Sequence, residues 1–172
     1  MPPHPARRRD RPFVFSHAWS VPLPAAEAMD LLGDPLRYPE WWPAIPAAWD
    51  VTDRTRGDVV PGGVGERAGI RLIGFVPVRL TMERVVDDRA RGVLLARLKG
   101  DLEGTVRVEV HDDGVRPGTR CTVAWHQEVV LGTPWMRAVA AVPGARAAMR
   151  ASHATAMRAG RRSLGAVSLP AG

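Results

Sequence analysis

The first patterned stretch of the chain alternates large and small side chains. Large apolar side chains at Phe13, Phe15 and Trp19 are separated by smaller ones, which is the two-residue period of a strand with one buried face. Prolines then end the strand, because proline has no backbone N–H to donate to a sheet. The residues that follow predict two short helices, over 25–32 and 36–42.

The middle of the chain has the pattern of consecutive strands. Apolar and polar positions alternate in segments that are separated by turns rich in glycine, proline and aspartate. The predicted strands cover 47–53, 64–73, 76–86, 92–99, 102–111 and 119–131. Since the connections are short, we expect neighbouring strands to pair antiparallel.

The last segment changes to a helical period. From Pro134 onward alanine, arginine and methionine dominate, and these are good helix formers; Pro143-Gly144 predicts a break near the start. One apolar face recurs at spacings of three and four and consists of Met149, His153, Met157, Gly160, Leu164 and Val167. An antiparallel sheet must cover its apolar face. We therefore predict an α+β fold in which a curved sheet of about six to seven strands wraps around a long C-terminal helix.

Five short motifs occur in a fixed order along the chain. They are Pro39-Glu40-Trp41-Trp42-Pro43, Gly100-Asp101-Leu102-Glu103-Gly104-Thr105, Gly118-Thr119-Arg120 before Trp125, Pro134-Trp135-Met136, and Ser152-His153 with Met157 and Gly160. Over about residues 12–168 the chain resembles the SRPBCC or START-like superfamily, and within it the polyketide cyclase/dehydrase type. One departure is that relatives often carry Asn and Asp where this chain has Ser152 and Ala154.

The resemblance implies a helix-grip fold with an elongated cavity between the sheet and the terminal helix, open near the helix ends. It does not imply one function, because the same fold serves lipid carriers, hormone sensors and aromatase/cyclases. The domain organisation that follows is a single domain over 12–168. A disordered basic arm over 1–11 precedes it, and a tail over 169–172 follows.

Length and composition agree with this organisation. The chain has 172 residues, of which 45% are hydrophobic, as in an ordinary globular domain. The N-terminal arginines are not followed by the apolar run of a secretory signal, and no apolar stretch reaches the roughly 18 residues of a membrane span. Cys121 is the only cysteine, which fits a reducing compartment. We therefore expect a cytoplasmic protein without stable membrane insertion, as a monomer or weak dimer.

The formal charge of +6 raises the question of a nucleic-acid partner. Nearly all of the positive charge is arginine, scattered along the chain, and Lys99 is the only lysine. A specific nucleic-acid site would need a groove-reading element or interleaved aromatic residues, and the sequence shows neither. We interpret the charge as a solvated basic surface and expect no nucleic-acid partner. Without zinc-ligand spacing or a phosphate-binding glycine loop, we also expect no metal and no cofactor.

Polar side chains on inward strand positions are the most informative candidates. His17, Glu66 and Gln127 share the parity of apolar neighbours, whereas a bulge or a strand end decides the direction of Arg84 and Arg97. A buried polar group without a partner costs roughly 1–3 kcal/mol. Each therefore either pairs inside the protein, as Glu66 would with an arginine, or meets a ligand.

Two histidines are the candidate catalytic residues. His153 lies on the apolar face of the last helix, where a hydrogen-bonded core role and a catalytic role are both open. Histidine exchanges protons near neutral pH. If the protein is a cyclase, His17 or His153 would shuttle protons during closure of a poly-β-keto chain, and Arg97 or Gln127 would polarise a carbonyl group.

Three functions remain open from the sequence. The first is binding of a small hydrophobic ligand that is lipid-, quinone- or polyketide-like. The second is a cofactor-independent polyketide aromatase/cyclase or dehydrase, and the third is a protein- or membrane-surface module using the arginine-rich helix face. Besides the histidines, the predicted cavity residues are Trp19, Trp41, Trp42, Trp49, Glu66, Leu80, Met82, Arg97, Trp125, Gln127, Trp135, Met136, Met149 and Met157.

Overall fold

The computed structural model describes residues 11–55, 57, 59–115 and 117–167. Apart from Arg11, the predicted N-terminal arm lies outside the described residues, as does the predicted tail. The described strands form one antiparallel seven-stranded sheet in the order β1-β7-β6-β5-β4-β3-β2. They are β1 (Phe13–Val21), β2 (Ala47–Asp50), β3 (Arg67–Leu72), β4 (Val78–Asp88), β5 (Val93–Gly100), β6 (Leu102–Asp112) and β7 (Cys121–Leu131).

The helices follow the predicted positions. They are α1 (Ala25–Gly33), α2 (Tyr38–Trp41), α3 (Pro134–Ala140) and α4 (Ala145–Ala166), and a 3-10 turn over Pro35–Arg37 leads into α2. Gly144 adopts a positive φ of 81° immediately before α4, so the predicted break at Pro143-Gly144 separates α3 from α4. This helix-grip architecture confirms the predicted fold class.

Strand β7 is central to the packing, with β1 and β6 as its neighbours. Its residues alternate between buried and exposed along nearly its whole length. Phe15 pairs with Gln127, and His17 pairs with Trp125. The pairing places all four side chains on the inner face of the sheet, because residues directly opposite each other share a face.

Helix α4 covers that inner face through small and apolar side chains. Met157, Gly160 and Leu164 are buried. A Cβ atom at Gly160 would lie 2.5 Å from the ring of Trp42, so glycine allows the indole to rest directly on the helix backbone. The Trp42 Nε1–H group also donates a hydrogen bond to the Ala156 carbonyl oxygen at 2.8 Å. Val167, predicted on this face, lies beyond the helix and is 39% exposed.

Three predicted cavity residues lie on the outside of the molecule, and for these the prediction is wrong. Trp49 pairs with Gly69, and its ring covers that glycine on the outer face, where it is 44% exposed. Trp135 is 42% exposed, and its Nε1–H group donates to Asp101.

The third is Arg97, whose side chain is 51% exposed and lies 3.9 Å from Glu83 on the neighbouring strand. Its strand neighbours Leu94 and Leu98 are the buried ones. Arg97 therefore has the outward parity of β5, and it cannot polarise a carbonyl group inside the domain.

Candidate functional site

An apolar cavity of about 100 Å³ lies where the start of β1 and the end of β7 meet α3 and α4. The connection between β3 and β4 lies along its remaining side. Of the sixteen lining residues, only Ser152 and His153 have polar side chains. Two of the predicted cavity residues, Met136 on α3 and Met149 on α4, lie on its wall.

The β3–β4 connection forms the mouth of the apolar cavity. Ile73 and Phe75 line the cavity and are 51% and 50% exposed. The Phe75 backbone N–H donates to Ser152 Oγ at 2.9 Å, and a Cβ atom at Gly74 would lie 2.3 Å from the same oxygen. A side chain at position 74 would therefore displace the Ser152 hydroxyl group, whose hydrogen bond fixes the mouth loop to α4.

His153 is held at the inner side of the apolar cavity by hydrogen bonding and stacking. Its Nε2 atom lies 3.1 Å from Gln127 Oε1, which also accepts a hydrogen bond from Trp125 Nε1 at 3.3 Å. The His153 ring stacks on Phe15 with 3.7 Å between ring centroids. Gln127, predicted to face inward, is buried at this junction.

The two candidate histidines lie side by side in the interior. Their ring centroids are 5.4 Å apart. Burial, followed by the proximity of His17, lowers the pKa of His153 to about 4, and burial also lowers the pKa of His17. Both rings are therefore neutral at pH 7. Among the described residues, neither His17 Nε2 nor His153 Nδ1 has a hydrogen-bond partner, although both atoms are buried.

An aromatic cluster fills the middle of the interior. It consists of Trp19, Tyr38, Trp41, Trp42 and Trp125, with neighbouring ring centroids 5.2–6.4 Å apart. The predicted cavity tryptophans on the inside of the sheet therefore mainly pack against each other. Among the described residues, this packing fills the middle of the elongated cavity that the resemblance implied and separates the apolar cavity from a second space.

The second space, the polar pocket, has a volume of about 40 Å³ and lies on the other side of Trp125. It is lined by Glu66 and Arg84, among others, and their side chains approach to 3.2 Å. Arg84 also contacts Asp87 at 2.5 Å. Glu66 therefore takes the first of the two roles left open by the sequence, pairing with an arginine inside the protein.

The structure divides the predicted cavity residues among several environments. The apolar cavity includes His153, Met136 and Met149, whereas the polar pocket includes Glu66, Met82 and Trp125. Leu80 and Met157 are buried in the core and line neither space, and His17 lies beside the cavity without being part of its wall.

The sequence analysis missed several residues of the cavity wall. These are chiefly the mouth loop, Ser152, and the inward apolar residues at the ends of β1 and β7. Two signals were present: the inward parity of Phe13, Phe15 and Val129, and two large apolar residues around Gly74 in a turn.

Within the part of the chain that the structure describes, no helix has both the length and the apolar character to cross a membrane.

Comparison with known proteins identifies the family. Residues 12–165 match the family model described as polyketide cyclase/dehydrase and lipid transport. No curated protein matches the chain. The fold is similar to that of the Zhui aromatase/cyclase from a Streptomyces species, with 14% identity, a TM-score of 0.68, and coverage of 91% of this chain and 93% of that one.

Two further solved structures share the fold at low sequence identity. A START superfamily protein from Mycobacterium smegmatis has 13% identity and a TM-score of 0.64, with 89% of this chain and 94% of that chain covered. A major latex-like protein from Panax ginseng has 14% identity and a TM-score of 0.63, with 92% and 99% covered. Because the family model spans all seven strands and nearly all of α4, the chain belongs to the polyketide cyclase/dehydrase and lipid transport family.

Proposed function

We propose that the protein binds a small hydrophobic molecule in the apolar cavity. The observation that carries the proposal is the composition of the wall, which contains no charged side chain at pH 7 and only two polar ones, Ser152 and His153. Apolar walls with a few placed polar groups are typical of small-molecule sites. Membership of a family described by cyclases and lipid transport supports the same class of ligand.

The volume of the apolar cavity limits what can be fully enclosed. Its roughly 100 Å³ approaches the scale of a cavity of about 150 Å³ that holds benzene. Because the cavity is smaller than that, a single ring would use part of the open mouth, and a longer lipid-, quinone- or polyketide-like molecule would extend further past Ile73 and Phe75. Met136 and Met149 can adapt to ligands of different shape, because methionine is unbranched and polarizable.

Toluene is the simplest probe of this proposal. When toluene is titrated into the protein, we expect saturable shifts of the Met136 and Met149 methyl resonances in a methyl NMR spectrum. Met29 and Met157 are buried elsewhere in the core, so their resonances should move less. Shifts that grow linearly without saturation, or that affect all methionines equally, would contradict a defined site.

A pair of substitutions on α4 supplies the control. Ala156 lines the cavity, whereas Ala151 is exposed on the same helix. Ala156→Phe should fill the cavity and weaken toluene binding at least tenfold, and Ala151→Phe should leave it unchanged. Equal toluene affinity in the two variants would place binding outside the cavity.

The cyclase alternative draws its support from the two neighbouring histidines. Each has a buried nitrogen without a partner among the described residues, as expected of groups that await a substrate. However, a pKa of about 4 makes His153 a weak base at neutral pH, and general catalysis works best with a pKa near the working pH. The ring is therefore better suited to accepting a hydrogen bond than to removing a proton, which favours binding over catalysis.

The surface-module alternative has less support. A surface module of this kind requires a collapsed interior and an exposed apolar patch beside the helix arginines. Instead, the Arg146 and Arg150 guanidinium groups lie over the Phe13 ring, at 4.1 and 5.2 Å from its centroid. These arginines contact the aromatic residue at the start of β1, next to the open cavity.

A further inference from the structure

The two ends of the sheet differ in their charge. At the end where β3 joins β4, here called the mouth end, residues 67–82 and 129–167 contribute the mouth loop, α3 and α4, and they contain no aspartate or glutamate. The β5–β6 turn at this end adds the buried Asp101 and the exposed Glu103. The opposite end carries Asp87-Asp88 at the end of β4 and Asp112-Asp113 after β6. The apolar cavity therefore opens at the more positive end of the molecule.

Two arginines stand at the base of the mouth loop. Arg71 on β3 is directly opposite Arg79 on β4, one residue pair before the two strands separate. Both side chains are exposed, and neither forms an ion pair with another described residue. Like charges directly opposite each other destabilise a sheet. An anion from outside the chain would relieve this repulsion.

Exposed apolar side chains lie beside these two arginines. Ile73 and Phe75 come from the loop between them, and Trp135 on α3 is 42% exposed. The Asp101 side chain accepts a hydrogen bond from Trp135 Nε1–H and one from the Arg79 backbone N–H, each at 2.9 Å. The indole therefore stands next to β4 with its N–H group bonded and part of its ring in solvent. Such half-exposed aromatic rings are typical of lipid–water interfaces.

The docking surface defined by Arg71, Ile73, Phe75, Arg79 and Trp135 thus combines positive charge with apolar side chains around an open cavity. We propose that it binds reversibly to membranes that contain anionic phospholipids, with the mouth turned toward the lipid. Lipid phosphates neutralise the two arginines, and the three apolar side chains enter the boundary between headgroups and acyl chains.

This inference rests on the proposed binding function and names the partner from which the cavity is loaded. A hydrophobic ligand can pass between the membrane and the apolar cavity without crossing water. The lipid boundary is favoured as the partner because it offers anions and an apolar phase at one surface. The docking surface lies on the mouth loop and α3, so it differs from the helix arginines of the surface-module alternative.

Co-sedimentation with lipid vesicles tests the charged part of the docking surface. The protein should bind vesicles of equal amounts of phosphatidylcholine and phosphatidylglycerol, and it should bind pure phosphatidylcholine vesicles far less. Replacing Arg71 and Arg79 together by glutamine should weaken binding to the mixed vesicles about tenfold. Arg91→Gln with Arg120→Gln is the matched control, because it removes the same charge at the opposite end of the sheet, and it should bind as the unmodified protein does. Equal losses in the two double variants would overturn the proposal.

A serine substitution tests the apolar part. Phe75→Ser should weaken binding to the mixed vesicles about fivefold, because part of the ring no longer enters the lipid. Val115→Ser changes an exposed side chain at the opposite end and should have no effect. Soluble polyglutamate supplies negative charge without an apolar phase. If polyglutamate binds as tightly as the vesicles and Phe75→Ser weakens neither, the surface fits an acidic protein and the membrane proposal is wrong.

A spin-labelled phospholipid tests the orientation without any variant. In anionic bicelles that contain this lipid, the methyl resonances of Met136 and Met149 on the cavity wall should lose more intensity than that of Met29. Met29 lies beside the β4–β5 turn at the opposite end. Equal loss at all three methionines would mean that the protein meets the lipid through another face.

The outcomes separate this inference from the proposed function. If toluene binds in the apolar cavity and replacement of Arg71 and Arg79 leaves vesicle binding unchanged, the docking proposal is wrong and the binding function stands. If the docking surface holds the protein on vesicles but toluene does not bind, the binding function fails, and the loading role fails with it.

Discussion

The polar pocket and the apolar cavity lie on the same inner face of one sheet, yet they differ in whether their buried polar groups are paired within the protein. In the polar pocket, Arg84 contacts both Glu66 and Asp87, so each charge has a partner within the protein. At the apolar cavity, His153 has one nitrogen bonded to Gln127 and the other without a partner among the described residues. Inward polarity alone therefore does not identify a binding site.

The contacts between the two regions explain how they stay separate. Trp125 lines the polar pocket and donates to Gln127, which in turn contacts His153 on the cavity wall. Trp42 packs edge-on against Trp125 and is bonded to α4 through Ala156. The aromatic cluster thus forms a wall that supports the hydrogen-bond geometry of the cavity on one side and closes the polar pocket on the other.

The largest expected effect comes from removing the cation of the polar pocket. Arg84→Met leaves Glu66 and Asp87 with side chains only 17% and 11% exposed and without their shared partner. Breaking a buried pair costs about 3–5 kcal/mol, and we expect the lower half of this range because Asp87 still contacts Arg89. Urea unfolding at pH 7 measures the loss.

Arg97→Met is the matched control for this prediction. Arg97 is half exposed, with its nearest carboxylate at 3.9 Å, so the change should be within about 0.5 kcal/mol. Toluene binding should persist in both variants. A loss of toluene binding in Arg84→Met under conditions where it remains folded would show that the two regions are not independent.

The sequence predicted the elements of the fold well, because strand and helix periods are local properties. The direction of individual side chains was harder to predict where pairing decides it. Arg84 and Asp87 would lie on opposite faces of a regular strand, and they meet because the register shifts between Arg84 and Val86. Similarly, the pairing of Trp49 with Gly69 turns this tryptophan outward. Neither the bulge nor the pairing register can be read from the residues alone.

The cavity was harder to predict than the fold for a related reason. Its mouth is a loop, held in place by the contact between Ser152 and the Phe75 backbone, and loops carry no periodic signal. The position of His153 on the inner helix face followed from spacing alone. Which of its ring nitrogens has a hydrogen-bond partner depends on Gln127, a residue 26 positions away in the sequence.

The second prediction concerns the pH dependence that His153 imposes on folding. Its pKa is about 4 in the folded protein against 6.5 for an ordinary histidine. Above pH 6.5 the His153 ring is neutral in both the folded and the unfolded protein, so protonation of this ring does not lower the free energy of unfolding. Between pH 6.5 and 4 only the unfolded protein takes up the proton at this ring, so the free energy of unfolding decreases as the pH is lowered. The loss is at most about 3 kcal/mol, at about 1.4 kcal/mol per pKa unit.

Replacement of His153 by phenylalanine should remove this part of the acid sensitivity. The stability difference between pH 7.5 and 4.5, from urea unfolding, should be smaller in His153→Phe than in the unmodified protein. His126→Phe is the control, because His126 lies on the exposed face of β7 and is open to water in both states. An unchanged pH dependence in His153→Phe would mean that the ring is not desolvated as the structure indicates.

The smallest of these effects concerns the wall between the two regions. Gly160→Ala places a Cβ atom where the Trp42 ring now lies, 2.5 Å from its nearest atom. The indole cannot move freely, since it is bonded to the Ala156 carbonyl oxygen and packed against Trp19 and Trp125. Overpacking of this kind costs about 1–3 kcal/mol, and we expect about 2 kcal/mol in urea unfolding.

Gly165→Ala, five residues later on α4, is the control variant. It shows the general effect of replacing glycine by alanine in a helix, without the clash at Trp42. A Cβ atom at Gly165 would meet Pro22 at an ordinary 3.4 Å, so Gly165→Ala should raise stability by roughly 0.5–1 kcal/mol through helix propensity. If both glycine variants are equally stable, Trp42 rearranges easily, and the aromatic cluster does not keep the polar pocket and the apolar cavity apart.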